Sequence, residues 1–246
     1  MEAGANTAEN VILSLAVRIR YGLRRIQPLV SMVHAVRRRN QIRLRDRAAS
    51  EYLAKPNLRK LHLGCSNQIL PGWFNADIFP VYDGAYYMDA TEPFPFPGAS
   101  FDLIFSEHMI EHIEYLQGLH MLKECFRVMK PGGTIRIATP DLEFIAGLYS
   151  PDSSLRQEQY KRSVIECWRK DYGSSEVGVV VNNIFNFGHQ FIYDRCTLSE
   201  LLERAGFKDP QVLQPAESAI PEFSGIAVHC EDYISLETLV IEASKA

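Results

Sequence analysis

The sequence lacks the patterns that several classes of protein require. Its five cysteines are widely scattered and form no CxxC pair, so neither a disulfide framework nor a cysteine zinc site is indicated. No apolar run approaches the ~20 residues of a membrane span, and the first residues do not follow the pattern of a secretory signal. We therefore expect a cytoplasmic protein, either soluble or peripheral to the inner face of the membrane.

The net positive charge of the chain is confined to its first fifty residues. Residues 1–50 hold ten arginines and three acidic residues, a balance of +7. Because the whole chain carries −4, residues 51–246 carry −11. The larger part of the chain therefore shows no basic surface for nucleic acid, and we expect no nucleic-acid partner.

Residues 10–36 carry apolar side chains at steps of three and four, which is typical of one face of a helix. Arginines fall on the other side. Such a basic amphipathic helix can lie on an anionic membrane, pack on its own domain or a second copy of the chain, or serve as a basic arm for another partner. We treat residues 1–55 as a helical extension.

From residue 56 onward, short apolar runs alternate with longer helical patterns. This alternation predicts an α/β fold, a Rossmann-like and mostly parallel seven-stranded sheet with helices on both faces. The predicted strands are residues 58–63, 75–79, 85–88, 101–105, 134–138, 212–213 and 239–242. A helix is predicted over 110–129, stopped by Lys130-Pro131-Gly132-Gly133.

Residues 150–190 are less regular and predict an insertion, either a lid or acceptor pocket or simply scaffold. After it, Thr197 and Glu200 have the spacing of a capping box, which predicts a helix from Thr197 to Ala205. We therefore expect one domain over residues 56–246.

Several motifs occur in an order that points to one family. They are Leu61–Ser66, Leu70–Asp77, Phe101–His112, Lys130–Ala138, Pro140–Leu142, Phe187–Asp194 and Leu201–Phe207. Together they resemble the class I S-adenosylmethionine-dependent methyltransferases. The resemblance is greatest to a predicted branch whose genes often lie among bacterial cell-surface polysaccharide genes, and it covers residues 58–207. It implies methyl transfer from S-adenosylmethionine to a small-molecule or glycan-linked acceptor, at oxygen.

The resemblance also implies roles for individual residues. The methionine part of the cofactor would be lined by Gly64, Cys65, Ser66 and Asn67; the ribose hydroxyls would bind Asp77, next to Ile78; the adenine would bind Asp89 and Ala90; and the sulfonium would be bordered by Ser106 and Glu107. The alternative for each aspartate is that it only caps a turn.

Two positions depart from the family pattern. The family usually has an acid or asparagine where His62 stands, and a second glycine where Ser66 stands. A side chain at position 66 disfavours positive φ and narrows the approach to a ligand. A non-catalytic nucleotide-binding or scaffold protein that keeps the fold is therefore the alternative. A nicotinamide-dependent oxidoreductase is less consistent with the sequence, because it has no GxGxxG motif.

Histidines are the candidates for a base, since a hydroxyl acceptor must lose a proton. We predict His108 first and His189 second, with Asp194 as an orienting partner. His112 fits a helix-surface or packing residue as well, and His62, within a strand, fits a hydrogen-bonded core residue.

His108-Met109-Ile110-Glu111-His112 also has the HxxEH spacing of inverted zinc peptidases. A five-residue pattern arises by chance, and this one lies within a segment that matches the methyltransferase pattern. We therefore predict no metal site.

Overall fold

The computed structural model describes residues 36–168, 177–226 and 234–246. By its internal contacts the chain forms two units, Met1–Arg47 and Ala48–Ala246. The described part of the first unit is helical. Apart from its last position, the predicted amphipathic helix over 10–36 lies outside the described residues. Among the helices that the structure describes, none is long and apolar enough to cross a membrane.

Seven strands form a single sheet in the order β3-β2-β1-β4-β5-β7-β6. The strands are β1 Lys60–Leu63, β2 Phe74–Asp77, β3 Ala85–Tyr87, β4 Phe101–Glu107, β5 Met129–Pro140, β6 Lys208–Leu213 and β7 Thr238–Ser244. Strands β1 to β5 pair in parallel, whereas β7 is antiparallel to β5 and β6. The predicted seven-stranded, mostly parallel, Rossmann-like sheet is confirmed.

The helices follow the strands as the alternating pattern predicts. They are α1 over residues 36–53, α2 Tyr115–Val128, α3 Leu142–Ala146, α4 Leu155–Trp168, α5 Val177–Asn183, α6 Arg195–Ala205 and α7 Ile234–Glu237. Short 3₁₀ helices cover Ile110–His112, Gly147–Tyr149 and Ile184–Phe187.

Alternate side chains of the strands supply two apolar clusters. On one face, Leu61 and Ile135 pack with buried side chains of α2 and α6. On the other face, Phe105 packs with Trp73 and Phe223. Helices α4 and α5, within the predicted insertion, form a third cluster with side chains of α3.

The helix predicted over 110–129 is wrong at its start. The segment begins as a 3₁₀ turn, and α2 starts only at Tyr115, after Glu114 adopts an extended conformation. The Glu114 N–H donates to Oε1 of Gln117 at 3.1 Å, which satisfies an amide at the helix N-terminus. The predicted stop is confirmed, but β5 begins at Met129 rather than at Thr134.

The predicted start of α6 is also wrong. The helix begins at Arg195, and its N-cap is Asp194, whose Oδ1 accepts from the Thr197 N–H at 2.7 Å. Its end is as predicted, at Ala205, with Gly206 in the left-handed conformation.

Candidate active site

A cavity of about 620 Å³ opens at the carboxyl ends of β1, β2 and β4. The parallel register brings these ends together, since Leu63 lies opposite both Ala76 and Ser106. Seven of the predicted site residues line it: Gly64, Ser66, Asp77, Ile78, Asp89, Ala90 and His108. The other six, Cys65, Asn67, Ser106, Glu107, His189 and Asp194, are not part of its described lining.

The turn after β1 requires a glycine at its first position. Gly64 has φ +70°, and a Cβ there would lie 2.4 Å from Cγ of Met109, so no side chain fits. The Gly64 N–H donates to the Ala76 carbonyl at 2.9 Å, which fixes the turn against β2. The backbone of β1 therefore ends directly at the cavity.

Ser66 adopts the positive φ that its side chain disfavours, +44°. Its backbone N–H donates to Oδ2 of Asp77 at 2.9 Å, which stabilises this conformation. The position that departs from the family pattern thus keeps the glycine-like backbone, at some cost in strain.

The two aspartates of the cavity both bind local backbone amides. Oδ1 of Asp77 accepts from the Phe79 N–H at 2.7 Å. Oδ1 of Asp89 accepts from the N–H and the hydroxyl of Thr91, at 3.0 and 2.6 Å. Each carboxylate oxygen can accept more than one hydrogen bond, so capping a turn and binding a ligand are compatible here.

His62 is a core residue, as predicted. It is 1% exposed, its Nδ1 lies 3.2 Å from Oδ1 of Asn75, and its ring stacks on Phe105 at 5.0 Å. Burial lowers the pKa of His62 to about 4. Its side chain packs on the face of the sheet away from α2 and α6, so this departure from the family pattern does not alter the described lining of the cavity.

His108 follows β4 with φ +44° and lies between two partners. Nε2 is 3.2 Å from the hydroxyl of Thr238, and that hydroxyl donates its own proton to the Ile234 carbonyl. Nδ1 is 3.3 Å from Oε1 of Glu111, a carboxylate. Nε2 therefore donates to Thr238, and Nδ1 faces a carboxylate.

The electrostatics agree with this geometry. Burial is the largest single influence and by itself lowers the pKa of His108 and raises that of Glu111, but their mutual contact and other nearby groups together outweigh it. The pKa of His108 is therefore raised and that of Glu111 is lowered.

The other two histidines of this region lie against each other. His112 lines the cavity, and its ring meets that of His189 edge to face at 4.7 Å. Burial lowers the pKa of His189 to about 4. Nitrogens of both rings and a carboxylate oxygen of Glu111 lie within 4.8 Å of one another.

The remaining predicted residues have other surroundings. Ser106 and Glu107 are buried, with side-chain oxygens that have no hydrogen-bond partner in the described chain. Cys65 is buried, which raises its thiol pKa to about 12. Asn67 is exposed, and Asp194 caps α6 as described above.

Sequence reasoning missed several lining residues, among them Met109, Gln117 and Gln190. Met109 directly follows the predicted site residue His108, so its position in the sequence could have indicated that it lines the cavity. Gln190 reaches the cavity because its N–H donates to the Glu111 carbonyl at 2.7 Å, a long-range contact without a local sequence pattern.

Residues 82–137 match the family model described as a methyltransferase domain. The segment includes Asp89, His108 and the start of β5, while Gly64 and Asp77 lie before it. The match covers 56 of the 246 residues, and over this segment the chain is similar to a methyltransferase domain, in line with the predicted class of enzyme. The sequence matches no curated protein.

Solved structures with a similar chain course include three S-adenosylmethionine-dependent methyltransferases. The one from Thermotoga maritima is 18% identical, with a TM-score of 0.44, over 86% of this chain and 96% of that chain. The one from Archaeoglobus fulgidus is 19% identical, with a TM-score of 0.46, over 85% and 94%. The one from Mesorhizobium loti is 15% identical, with a TM-score of 0.46, over 78% and 94%.

Proposed function

We propose that this protein transfers the methyl group of S-adenosylmethionine to a hydroxyl oxygen of a small-molecule or glycan-linked acceptor. The observation that carries this proposal is the cavity at the carboxyl ends of β1, β2 and β4, with Gly64 at its base and two aspartates on its wall. Ligands of open α/β sheets bind at this edge, where the strand order reverses.

The residues of the cavity fit the cofactor. Its volume is within the usual range for small-molecule sites. The backbone at Gly64 and Ser66 would lie against the methionine part, and Asp77 would accept from the ribose hydroxyls. Asp89 would accept from the adenine amino group, beside Ala90. When bound, S-adenosylmethionine supplies an electrophilic methyl group on its sulfonium.

We place the acceptor at the end of the cavity lined by His112, Ile113 and Gln190. His112 and His189 lie at this end, where an attacking hydroxyl must be oriented and must lose its proton to an imidazole nitrogen as the O–CH3 bond forms and the S–CH3 bond breaks. His108 acts as a positioning residue in this proposal, since its ring lies between Glu111 and Thr238. Ser106 and Glu107 are the last two residues of β4, directly before His108.

The glycan-linked acceptor follows from the resemblance to the branch found among polysaccharide genes. Oxygen is the acceptor atom in this proposal because sugars and many small metabolites present hydroxyls. We further propose a cytoplasmic protein that reaches membranes or copies of itself through residues 10–36.

Titration calorimetry with S-adenosylhomocysteine and with NAD tests the function. We expect binding of the sulfur nucleotide only, and we expect Asp77→Ala to weaken it by more than about tenfold, because the variant loses a hydrogen-bond acceptor of about 1.4 kcal/mol or more. Asp83→Ala is the matched control, since Asp83 is exposed and outside the described lining.

Two results would contradict the proposal. Binding of NAD without binding of S-adenosylhomocysteine would rule out the methyltransferase. An unchanged affinity in Asp77→Ala would rule out the placement of the ribose.

A further inference from the structure

Three side chains at the acceptor end of the cavity form a group that cofactor binding does not use. Glu111 is fully buried, His112 lines the cavity, and His189 lies beside it. One ligand atom from each lies within 4.8 Å of the other two. Nδ1 of His189 is buried and has no hydrogen-bond partner in the described chain. A buried nitrogen without a partner destabilises the folded protein unless a ligand binds it.

The backbone holds the two parts of this group together. The N–H groups of Gln190 and Phe191 both donate to the Glu111 carbonyl, at 2.7 and 3.2 Å. The side-chain amide of Gln190 donates to the His112 carbonyl at 2.8 Å. His189 is thereby fixed next to a segment 77 positions earlier in the sequence. The group is part of the fold and does not depend on a chance contact of long side chains.

Glu111 also has a supporting hydrogen bond, of the kind that metal-binding carboxylates usually have. Its Oε2 accepts from the Thr139 hydroxyl at 3.0 Å, and its Oε1 lies 3.3 Å from Nδ1 of His108. His108 is therefore a partner of the carboxylate and is not one of the three ligands. The arrangement differs from that of an HxxEH peptidase, in which His108 and His112 would bind the metal together.

Two imidazoles and one carboxylate are the ligands of many catalytic metal sites, which leave a coordination position open. A tetrahedral zinc ion with bonds near 2.1 Å separates its ligand atoms by roughly 3.4 Å. The largest separation here, 4.8 Å, would thus have to shorten by at most about 1.4 Å. Rotations of the His112 and His189 side chains would have to supply this movement.

We propose that Glu111, His112 and His189 bind a divalent transition-metal ion at the acceptor end of the cavity. The ion would bind the acceptor oxygen at its open position, and this part rests on the proposed function. Metal binding itself does not depend on the methyl donor. The sequence analysis predicted no metal site. This proposal differs from that prediction, because the set of ligands includes His189, which the HxxEH motif does not contain.

Zinc titration of the full-length protein, after treatment with a chelator and dialysis, tests the site. We expect one zinc ion per chain, and an affinity at least about tenfold lower in His189→Ala. Glu111→Gln should weaken binding as well, and circular dichroism shows whether this buried variant folds. The matched control is His120→Ala, which removes an exposed histidine of α2 and should keep the affinity within about twofold.

An absence of zinc binding at about 100 µM would overturn the proposal. So would equal affinities of the wild type and a folded His189→Ala, because zinc would then bind elsewhere. Titration of the same samples with S-adenosylhomocysteine keeps the two proposals apart. Zinc binding that His189→Ala weakens, without any binding of S-adenosylhomocysteine to the wild type, would uphold the metal site and contradict the proposed function.

Discussion

Gly64 and Gly72 have nearly the same backbone conformation in different surroundings. Their φ angles are +70° and +78°, but a Cβ at Gly72 would meet nothing within 4 Å, whereas one at Gly64 would overlap Met109. Gly72→Ala should therefore lower the free energy of unfolding only by the strain of an alanine at positive φ, about 1–2 kcal/mol. Gly64→Ala should cost a further ~1–3 kcal/mol from overpacking.

The two variants should also differ in ligand binding. Met109 lines the cavity, so its displacement in Gly64→Ala should weaken binding of S-adenosylhomocysteine by more than about tenfold, while Gly72→Ala binds as the wild type does. Urea unfolding and calorimetry measure the two effects. Equal losses of stability would show that Met109 moves away without cost.

Glu237 predicts a pH-dependent stability. It is 8% exposed, its Oε2 accepts from the Tyr160 hydroxyl at 2.8 Å, and burial raises its pKa to about 7. The unfolded chain therefore releases this proton at lower pH than the folded chain does. The resulting loss of stability grows from pH 4.5 to about pH 7 and is constant above it.

Glu237→Gln removes the charge and keeps an oxygen for Tyr160. We expect it to raise Tm relative to the wild type by at least about 2 °C more at pH 8 than at pH 5. Exposed Glu143→Gln is the control and should show the same difference from the wild type at both pH values. A gain from Glu237→Gln that does not depend on pH would contradict the proposed ionisation.

Among the elements, α6 differs from the prediction in its cap. The sequence motif pointed to Thr197 as the N-cap, whereas the structure has Asp194 in that position. Asp194→Ala should destabilise the protein by about 1 kcal/mol, since its carboxylate accepts from the Thr197 N–H. Thr197→Ala keeps that backbone bond and should cost less. Thermal unfolding compares the two. A larger loss in Thr197→Ala would restore the capping box predicted from the sequence.

The strands were largely predicted correctly from the sequence, whereas the starts of α2 and α6 were not. Apolar runs such as Phe101–Phe105 are buried on both faces of a parallel sheet, and this leaves a clear pattern. The start of α2 was missed although Glu114 and Gln117 have the i, i+3 spacing of a capping box. The positive φ at His108 has no such local pattern.

At the scale of the whole molecule, the grouping of Gly64, Asp77 and Asp89 around one cavity was predictable, because all three lie at strand ends. Gly64 directly follows β1, Asp77 is the last residue of β2 and Asp89 lies two residues after β3, and parallel pairing places them together. The meeting of His189 with Glu111 was not predictable, since it depends on backbone hydrogen bonds between distant segments. A motif within one helix could therefore suggest His108 and His112 as a metal pair, although Glu111, His112 and His189 are the residues that meet.

The division of the chain at Arg47 predicts that residues 48–246 fold and bind nucleotide without the basic extension. Tyr52 is part of this unit, since its hydroxyl accepts from the Lys60 N–H at 2.8 Å. A chain that begins at Ala48 should unfold cooperatively and bind S-adenosylhomocysteine within about twofold of the full-length affinity.

Full-length protein should float with anionic vesicles at low salt and less at high salt, because salt screens the attraction between arginines and lipid phosphates. The shortened chain should not float. Equal flotation of the two would exclude residues 1–47 as the membrane contact, and loss of cooperative unfolding would show that the extension belongs to the folded domain.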